Sequence, residues 1–556
     1  MNVLSAMLDK GAVEKRFGYH PRCRNMGLTH LCFADDIMVF SAGSAHSLEG
    51  VLAIFKDFAA FSGLNISLEK STLFMASISS ETCASILARF LFDSGSLPVR
   101  YLGLPLMTLA DCLPLLEKIR SRISSWKNRF LSYAGRLQLL NSVISSLTNF
   151  WISAFRLPRA CIREIEQISA AFLWSGTDLN PHKAKVAWHD VCKPKSEGGL
   201  GLRSLVDANK ICCFKLIWRL VSAKHSLWVN WIQNNLIRTG SFWSVKANTT
   251  LGSWMWKKLL KYRHEAKEFF KMEVFCGRQT SFWYDHWCSL GQLHGLLGDR
   301  GFIDLGISSS CSVAEALSSH RRRSDRDDIL NDIEEELEKL RCRGICTEQD
   351  RSLCRSIGGQ FKAKFFSPEI WHQIREQGLV KQWHKAIWFS GATPKFTFIS
   401  WLAAHDRLTT GDKMASWNRG ISSVCVLCNI SAESRDHLFF SCNFSSHIWD
   451  RLTRRLLLCR YTTNFPALLL LLSGQDFSGT KRFLLRYVFQ ATIHTLWRER
   501  NKRRHGDLPI PSDHIIKFID RQTRNRLSTI TKQGLHKYAD GLRIWFAARD
   551  NLTPNH

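Results

Sequence analysis

The chain has 556 residues, which is more than one ordinary domain holds and therefore predicts several folded units. Hydrophobic residues make up 45% and charged residues 22%, a balance that excludes an intrinsically disordered chain. The 76 Lys and Arg residues against 48 Asp and Glu give a formal net charge of +28, which favours RNA or DNA as a partner. An anionic membrane surface and an inert basic surface are the alternatives.

The 18 cysteines are irregularly spaced, and residues 1–10 form an amphipathic stretch rather than a signal peptide. This pattern favours reduced thiols over a disulfide framework, and so the nucleus or cytoplasm over secretion. The longest apolar run, residues 467–472, is too short to span a bilayer, so no membrane partner is expected.

The first eighty residues alternate helical and strand-like patterns. Residues 29–40 predict two short strands around an acidic tip. An amphipathic helix is predicted over residues 47–61, with its apolar face formed by Leu48, Leu52, Phe55, Ala59 and Phe61. From residue 113 to about residue 224 the pattern is mostly helical and basic, and residues 225–315 are rich in Trp.

Asp35 and Asp36 stand side by side at the acidic tip, between apolar flanks. Two adjacent carboxylates repel each other, and a divalent cation would offset that repulsion. Neighbouring side chains of a hairpin point to opposite faces, so Asp35 is predicted as the principal ligand and Asp36 as a supporting charge. Adjacent acids occur more commonly in a solvated turn that binds no metal. This alternative remains open on the Asp-Asp pattern alone.

A second candidate metal site lies towards the C-terminus, at Cys425, Cys428, His437 and Cys442. Thiolates and imidazole are the ligands that tetrahedral Zn²⁺ prefers, and a Cys-x2-Cys turn places two sulfurs on one cation. With four protein ligands the site would be closed and structural. His447 could replace one of the ligands, and four unlinked reduced side chains are the alternative. Residues 496–505 form a basic run, read equally as a nucleic-acid contact, a nuclear import signal or a solvated helix face.

Three blocks of the N-terminal part carry a family resemblance. HLCFADDIMVF (residues 30–40), SGLNISLEKS (residues 62–71) and RYLGLPL (residues 100–106) occur in the order typical of one enzyme family. They resemble the palm blocks of the reverse transcriptases of plant LINE-type (non-LTR) retrotransposons. The resemblance implies a right-hand polymerase that copies RNA into DNA with two Mg²⁺ ions, and in which Lys70 protonates the departing pyrophosphate.

The same resemblance implies a further catalytic Asp and a Gly-rich block well upstream of the tip, and this sequence does not contain them. One acidic strand cannot hold two hard cations in octahedral oxygen shells. We therefore expect Asp35, Asp36 and Lys70 to be vestigial, with Mg²⁺ bound only in an intact relative and no polymerase activity from this chain alone.

Downstream stretches continue the resemblance. WKNRFLSYAGR (residues 126–136) and FLWSG (residues 172–176) are similar to the thumb of the same family, which implies phosphate contacts by Lys127, Arg129 and Arg136. A solvated charged face is the alternative for each of them. Residues 387–449 are similar to the zinc-binding domain of plant reverse transcriptases, which implies RNA or DNA contacts through Lys395, Arg407 and Lys413.

The predicted fold class is α+β, with a truncated polymerase palm, a mainly helical thumb and connector, and a small zinc-binding module. The predicted segments are residues 1–110 (partial palm), 111–224 (helical thumb-like region), 225–365 (Trp-rich and charged connector), 366–460 (zinc-binding domain) and 461–556 (basic helical tail). The predicted function is that of a retrotransposon polymerase remnant that binds nucleic acid and zinc. A polymerase complemented in trans by the missing palm fragment and a repurposed RNA- or DNA-binding scaffold are the alternatives.

Overall fold

The computed structural model describes residues 2–90, 92–96, 99–101, 104–105, 112–126, 131–222, 226–323, 326–418, 420–534 and 538–549. Helices and several small sheets make this an α+β protein, as predicted. The chain forms two compact units. Unit 1 comprises Met1–Leu113, Ser153–Leu157 and Asn209–Ile374, and unit 2 comprises Pro114–Ile152, Pro158–Ala208 and Arg375–His556. Each unit draws on several of the five predicted segments, whose boundaries stay a prediction.

The N-terminal part of unit 1 is built on two helices. Asn2–Val13 packs against Ala45–Ser62, and their apolar stripes form a common core. Ser44 begins the second helix by accepting a hydrogen bond from the N–H of Ser47 at 3.2 Å. Gly63 ends it with φ 73°, in the left-handed region where glycine has no steric penalty.

The buried face of the second helix differs from the predicted one. The residues that are buried in it are Ser47, Val51, Ile54 and Phe58. The predicted face contained Phe61, which is 78% exposed. Apolar residues recur at helical spacing on two neighbouring faces of this helix. The spacing therefore does not indicate which of the two faces is buried. Packing against Asn2–Val13 makes that choice, so the prediction of the face was wrong although the helix itself is present.

Residues 30–39 form the predicted hairpin. His30–Phe33 pairs antiparallel with Asp36–Val39, and Ala34 and Asp35 make the two-residue turn between the strands. Ala34 has φ 52°, a positive value of the kind that such short hairpin turns require. The acidic pair therefore lies at the turn.

The other elements near the N-terminus are short. They are the helix Ser80–Arg89, the parallel strand pair Thr72–Phe74 and Asp93–Gly95, and the antiparallel pair Arg100–Tyr101 and Leu104–Pro105.

The Trp-rich part of unit 1 surrounds a three-stranded antiparallel sheet of Phe270–Glu273, Arg351–Arg355 and Phe361–Lys362, with Arg351–Arg355 in the middle. Trp283 is fully buried beside this sheet, and its indole N–H donates to the carbonyl of Ser308 at 3.0 Å. The helices of this part are Leu227–Ile232, Trp254–Ala266, Leu293–Leu297, Gly301–Asp304, Val313–Ser319, Asp328–Arg343 and Ser367–Ile374.

Unit 2 is organised around the helix Gly479–Arg504, which is buried along most of its length. It packs against Pro394–Ala404, Asn443–Leu457 and Ser512–Lys532. The other helices of this unit are Tyr133–Leu139, Leu140–Ile144, Arg159–Ser175, Trp188–Cys192, His384–Ile387, Gly411–Trp417, His437–Ser441, Phe465–Ser473 and Gly541–Ala547. The helices Leu113–Ser125, Ser145–Ala154 and Leu205–Ser222 have residues in both units.

Within the described ranges, no single helix combines the length and apolarity needed to cross a bilayer. Asn443–Arg460 and Phe465–Ser473 meet that criterion only when taken together, as a pair bent by 67°.

Candidate zinc centre and nucleic-acid interface

The first half of the cysteine cluster is a tight turn. Cys425 and Cys428 flank it, and the N–H of Asn429 donates to the carbonyl of Cys425 at 2.7 Å. Asn429 has φ 55°, a left-handed value that Asn adopts more readily than most residues. The N–H of Cys425 donates to the carbonyl of Ser431 at 2.8 Å and so fixes the start of the turn.

The second half is formed by His437 and Cys442. His437 begins the wide helical turn His437–Ser441, and the N–H of Cys442 donates to the carbonyl of His437 at 2.7 Å. Cys442 directly precedes the helix Asn443–Leu457. Its thiol therefore lies at a helix N-terminus, where the partial positive charge favours a thiolate.

The protonation of the two buried cysteines is coupled. The hydrogen bond with Cys425 lowers the pKa of Cys442, and the backbone N–H groups of Phe444 and Ser445 lower this pKa further. The same hydrogen bond, followed by burial, raises the pKa of Cys425. Because a bound zinc ion requires thiolate ligands, metal binding would release a proton from Cys425.

The distances test whether the four residues fit a zinc ion. Their ligand atoms all lie within 4.8 Å of one another, with Cys425 Sγ 4.0 Å from Cys442 Sγ and Cys428 Sγ 3.4 Å from His437 Nε2. Tetrahedral zinc, with bonds of about 2.3 Å to sulfur and about 2.0 Å to nitrogen, separates two sulfurs by roughly 3.8 Å and sulfur from nitrogen by roughly 3.5 Å. The two printed distances are close to these values, so the cluster fits a tetrahedral zinc ion.

The alternative ligand His447 does not belong to this cluster. It is exposed on the helix Asn443–Leu457, whereas His437 contributes the imidazole within 4.8 Å of the three sulfurs. Of the two histidines considered from the sequence, the geometry selects His437.

A buried ion pair supports the turn between the two halves. The carboxylate of Glu433 is 0% exposed and accepts from Arg500 Nε at 2.9 Å and from Arg500 Nη2 at 2.5 Å. The N–H of Gly411 donates to the same oxygen at 2.7 Å, and Arg500 Nη2 also donates to the carbonyl of Thr409 at 3.0 Å. Glu433 thus attaches the metal-site loop to the helix Gly479–Arg504.

This ion pair was not found from the sequence. Glu433 and Arg500 are 67 positions apart, and no local pattern links an isolated Glu to one Arg of a basic run. The pair also changes the reading of residues 496–505, because Arg500 is only 3% exposed and Arg503 Nε donates to Glu499 at 2.9 Å. Part of this basic run is therefore internal rather than a uniformly solvated face.

The acidic pair has different surroundings. Asp35 and Asp36 are both exposed at the hairpin turn, and Lys70 is exposed at the end of the turn Leu68–Lys70. Among the residues that the structure describes, the four-residue cluster of unit 2 is the one group of three or more metal-type ligands that converge. The geometry does not join a third ligand to Asp35 and Asp36, and the roles of these two residues and of Lys70 stay predictions.

The predicted nucleic-acid contacts that the structure describes fall into three groups. Lys395 and Arg407 are exposed and free to meet a phosphate backbone. Lys413 Nζ is 2.7 Å from the carboxylate of Asp406, so its charge is already paired. Arg136 Nη1 donates to the carbonyl of Leu173 at 3.4 Å.

Arg136 also lies over the ring of Tyr133, with its guanidinium carbon 5.4 Å from the ring centroid. These contacts give Arg136 an internal role at the end of the helix Arg159–Ser175. Lys127 and Arg129 lie outside the described residues. The phosphate contacts of all these residues remain predictions.

Comparisons with known proteins give two family matches and one similar relative. Residues 1–106 match the family described as reverse transcriptase (RNA-dependent DNA polymerase), and residues 365–449 match the family described as zinc-binding in reverse transcriptase. The chain is also similar to a putative ribonuclease H protein of Arabidopsis thaliana, with 27% identity over 345 residues. This similarity covers 61% of the chain and 55% of that relative, so the chain spans about half the length of the relative.

The hairpin with its acidic pair lies inside the first matched segment, and the four zinc-type ligands lie inside the second. Together, these matches support a relation between the chain and reverse-transcriptase-type retroelement proteins.

Proposed function

We propose that this protein is the palm-to-zinc-domain part of a LINE-type RNA-directed DNA polymerase, in which a module folded around one structural Zn²⁺ helps to hold RNA or DNA. The observation that carries this proposal is the convergence of Cys425, Cys428, His437 and Cys442 within 4.8 Å. Zinc in such a closed site stabilises the fold and takes no part in chemistry. Residues 423–442 then present a rigid surface to the nucleic acid.

Charge supports the nucleic-acid part of the proposal. A formal net charge of +28 attracts a polyanion, and the release of counterions adds affinity that falls with salt. Lys395 and Arg407 are exposed in or near the zinc module, where they contact phosphates without reading bases. Such contacts position a strand and give little sequence preference.

We further propose that the 556-residue polypeptide does not incorporate nucleotides by itself. Asp35 and Asp36 are exposed at a narrow turn, and two Mg²⁺ ions need oxygen ligands from more than one strand. A palm fragment that supplies a further carboxylate in trans would complete the site. The hairpin presents both carboxylates to solvent, where such a fragment could reach them, and this supports a complemented polymerase as the second candidate function.

Nucleic-acid binding is tested with a labelled 20-nucleotide RNA between 50 and 300 mM salt. We expect the logarithm of the binding constant to fall linearly with the logarithm of the salt concentration, with a slope of about −0.7 per phosphate contacted. Replacing Lys395 and Arg407 by Gln lowers the steepness of that slope. The matched control replaces Lys56 and Lys261, which are exposed in unit 1, by Gln. Equal effects of the two double variants would contradict the proposed location of the contact.

Catalysis is tested by primer extension on an RNA template with Mg²⁺. The polypeptide alone is expected to give no product above background. Product that appears on addition of a palm fragment, and disappears with Asp35→Asn, would support the complemented polymerase. Extension by the polypeptide alone would contradict the proposal. Binding of one defined transcript with no extension in either case would favour a repurposed scaffold.

A further inference from the structure

A pocket of about 460 Å³ lies within unit 2. Its walls include Lys185, residues of the helices Pro394–Ala404 and Gly411–Trp417, and the last two turns of Gly479–Arg504. Neither sequence patterns nor the family matches assign a role to this pocket. Its size falls in the range of small-molecule sites, which is about 300–1,000 Å³.

The charged groups that line the pocket are all basic. They are Lys185, Arg500 and Arg504. His505 also lines the pocket, and no carboxylate is among the lining residues that the structure describes. Lys185 is half-buried and makes no hydrogen bond or ion pair with the described part of the chain. Burial lowers the pKa of Lys185, and the nearby charge of Lys413 lowers it further. A desolvated ammonium group without a counter-charge is unfavourable, and an anion in the pocket would relieve that cost.

Arg504 adds a second incompletely satisfied cation. Its Nη1 is buried and has no hydrogen-bond partner among the described residues, with the carboxylate of Glu433 at 3.7 Å. Arg500, by contrast, is fully engaged by Glu433 and by the carbonyl of Thr409. Lys185 and Arg504 are therefore the two groups that remain available to an anion.

The helix terminus opposes an anion, but weakly. The pocket lies at the C-terminal end of Gly479–Arg504, which carries about half a negative charge. The three cations Lys185, Arg500 and Arg504, less the one charge of Glu433, leave two positive charges. The N–H groups of His505 and Gly506 donate to carbonyls of the last turn, so fewer carbonyl groups face the pocket. The net field favours an anion.

The pocket is too large for a simple anion and is partly apolar. A water molecule takes up roughly 30 Å³, so a bare phosphate would leave most of the volume filled with water. Leu408, Met414 and Trp497 provide apolar and aromatic walls. Aromatic side chains beside a positive charge are the usual means of holding a base and its phosphate.

We propose that this pocket binds one nucleotide of a single-stranded nucleic acid, with its phosphate at Lys185 and Arg504 and its base against the wall that contains Trp497. This inference rests on the proposed function, because it names the part of unit 2 that takes hold of the strand. A free nucleotide has the same chemistry, and the experiment separates the two sources.

The experiment compares the full chain with Lys185→Met and with the matched control Lys183→Met, which removes an exposed charge two residues away. Binding is measured for deoxyadenosine monophosphate, inorganic phosphate and a labelled 15-nucleotide single-stranded DNA. Loss of a charged hydrogen-bonding group weakens binding by about tenfold or more, whereas loss of an exposed charge changes it by about twofold or less. We expect these two results for Lys185→Met and Lys183→Met, respectively.

The outcomes separate the inference from the proposed function. If the mononucleotide binds as tightly as the oligonucleotide and depends on Lys185, the pocket takes a free nucleotide. If the oligonucleotide alone binds and depends on Lys185, the pocket takes a nucleotide within a strand. If the oligonucleotide binds and Lys185→Met behaves like Lys183→Met, the inference is overturned while the proposed function stands. Binding of inorganic phosphate as tight as that of the nucleotide would overturn the assignment to a nucleotide.

A second measurement uses the unmodified protein and is independent of the folding of any variant. Acetylation of Lys185 by acetic anhydride is followed by mass spectrometry, with Lys183 as the internal reference. Burial lowers the pKa of Lys185, which makes its amine more reactive towards the anhydride than an ordinary lysine amine at the same pH. The oligonucleotide or mononucleotide that occupies the pocket is expected to slow acetylation of Lys185 and not of Lys183. Equal rates with and without both ligands would overturn the inference.

Discussion

The zinc cluster of unit 2 and the acidic hairpin of unit 1 are both metal-type sites, and they differ in how many ligands converge. Four ligand atoms from two local turns lie within 4.8 Å in the cluster, and two of the four residues are buried. The hairpin presents two adjacent carboxylates, both exposed at one turn. The cluster brings four ligand atoms together from its own residues, whereas the hairpin brings two carboxylates together with no third converging ligand among the described residues.

The surroundings of the two sites reinforce this difference. The loop of the zinc cluster is anchored by Glu433, whose carboxylate is paired with Arg500 away from solvent. The hairpin turn has no comparable buried anchor among the described residues around Asp35 and Asp36. The buried pair therefore attaches the loop of the cluster to the rest of unit 2, whereas the order of residues 423–442 is expected to depend on the metal.

The largest expected effect comes from Cys428→Ser. Structural zinc in zinc-finger peptides contributes on the order of 10 kcal/mol to folding, so the loss of one thiolate ligand removes most of that stabilisation. We expect the zinc content to fall from about one ion per chain to near zero, and residues 423–442 to lose protection from hydrogen exchange. Metal analysis and exchange mass spectrometry measure the two effects.

The control for this variant is Cys459→Ser, which changes an exposed cysteine of the same unit. It should leave both the zinc content and the exchange pattern unchanged. A Cys428→Ser protein that keeps its zinc would show that the cluster does not bind the metal as a set of four ligands.

The next largest effect is expected from Glu433→Gln. Breaking a buried ion pair leaves Arg500 uncompensated and costs about 3–5 kcal/mol of the free energy of unfolding. Chemical denaturation measures this loss in the free energy of unfolding. Asp436→Asn is the control, because Asp436 pairs with Arg435 at 2.7 Å and its side chain is 50% exposed, for which we expect a loss of about 1 kcal/mol or less. Similar losses in both variants would mean that Glu433 does not anchor the loop.

A smaller effect concerns His494, which packs against Phe396 in the interior of unit 2. Burial, followed by the charges of Lys395 and Arg498, lowers the pKa of His494 from 6.5 to about 4. Because the unfolded chain takes up a proton below pH 6.5 and the folded chain does not, stability falls as the pH decreases from 6.5 to 4. The full shift corresponds to roughly 3 kcal/mol, which residual solvent exposure reduces to about 2 kcal/mol.

Denaturation at pH 7 and pH 5 measures the part of this loss that falls between the two pH values, which is roughly half of it. His494→Gln is expected to reduce the difference between the two pH values, and His182→Gln, at an exposed position, is expected to leave it unchanged. If all three proteins lost stability in parallel, His494 would not be the titrating group.

The smallest effects are expected at the hairpin. Asp35→Asn and Asp36→Asn change exposed side chains, so the free energy of unfolding should change by about 0.5 kcal/mol or less, and the zinc content should stay the same. Mg²⁺ binding is also measured by titration of the unmodified protein and of Asp35→Asn. Tight Mg²⁺ binding by the unmodified protein that is lost in Asp35→Asn would show that the hairpin holds the metal by itself.

Much of both sites could be predicted from the sequence because their signals are local. The hairpin strands, the helix Ala45–Ser62 and the convergence of Cys425, Cys428, His437 and Cys442 follow from spacing and residue type over short stretches. The conformation of a tight turn depends mainly on its own residues. The Cys-x2-Cys spacing therefore restricts the positions of the two sulfur atoms.

The features that the sequence did not reveal depend on distant contacts. The buried face of Ala45–Ser62 depends on which helix packs against it. The pairing of Glu433 with Arg500 depends on residues 67 positions apart. The hydrogen bond from the guanidinium of Arg136 to the carbonyl of Leu173 joins residues 37 positions apart, and the sequence did not indicate it. In each case the tertiary structure selects one of several local possibilities, and a single sequence does not contain that choice.

The most direct test of the central claim is X-ray absorption spectroscopy at the zinc edge of the purified protein. The cluster predicts one zinc ion per chain with three sulfur ligands at about 2.3 Å and one nitrogen ligand at about 2.0 Å. A chain without zinc, or a zinc ion coordinated mainly by oxygen, would contradict a module folded around Cys425, Cys428, His437 and Cys442.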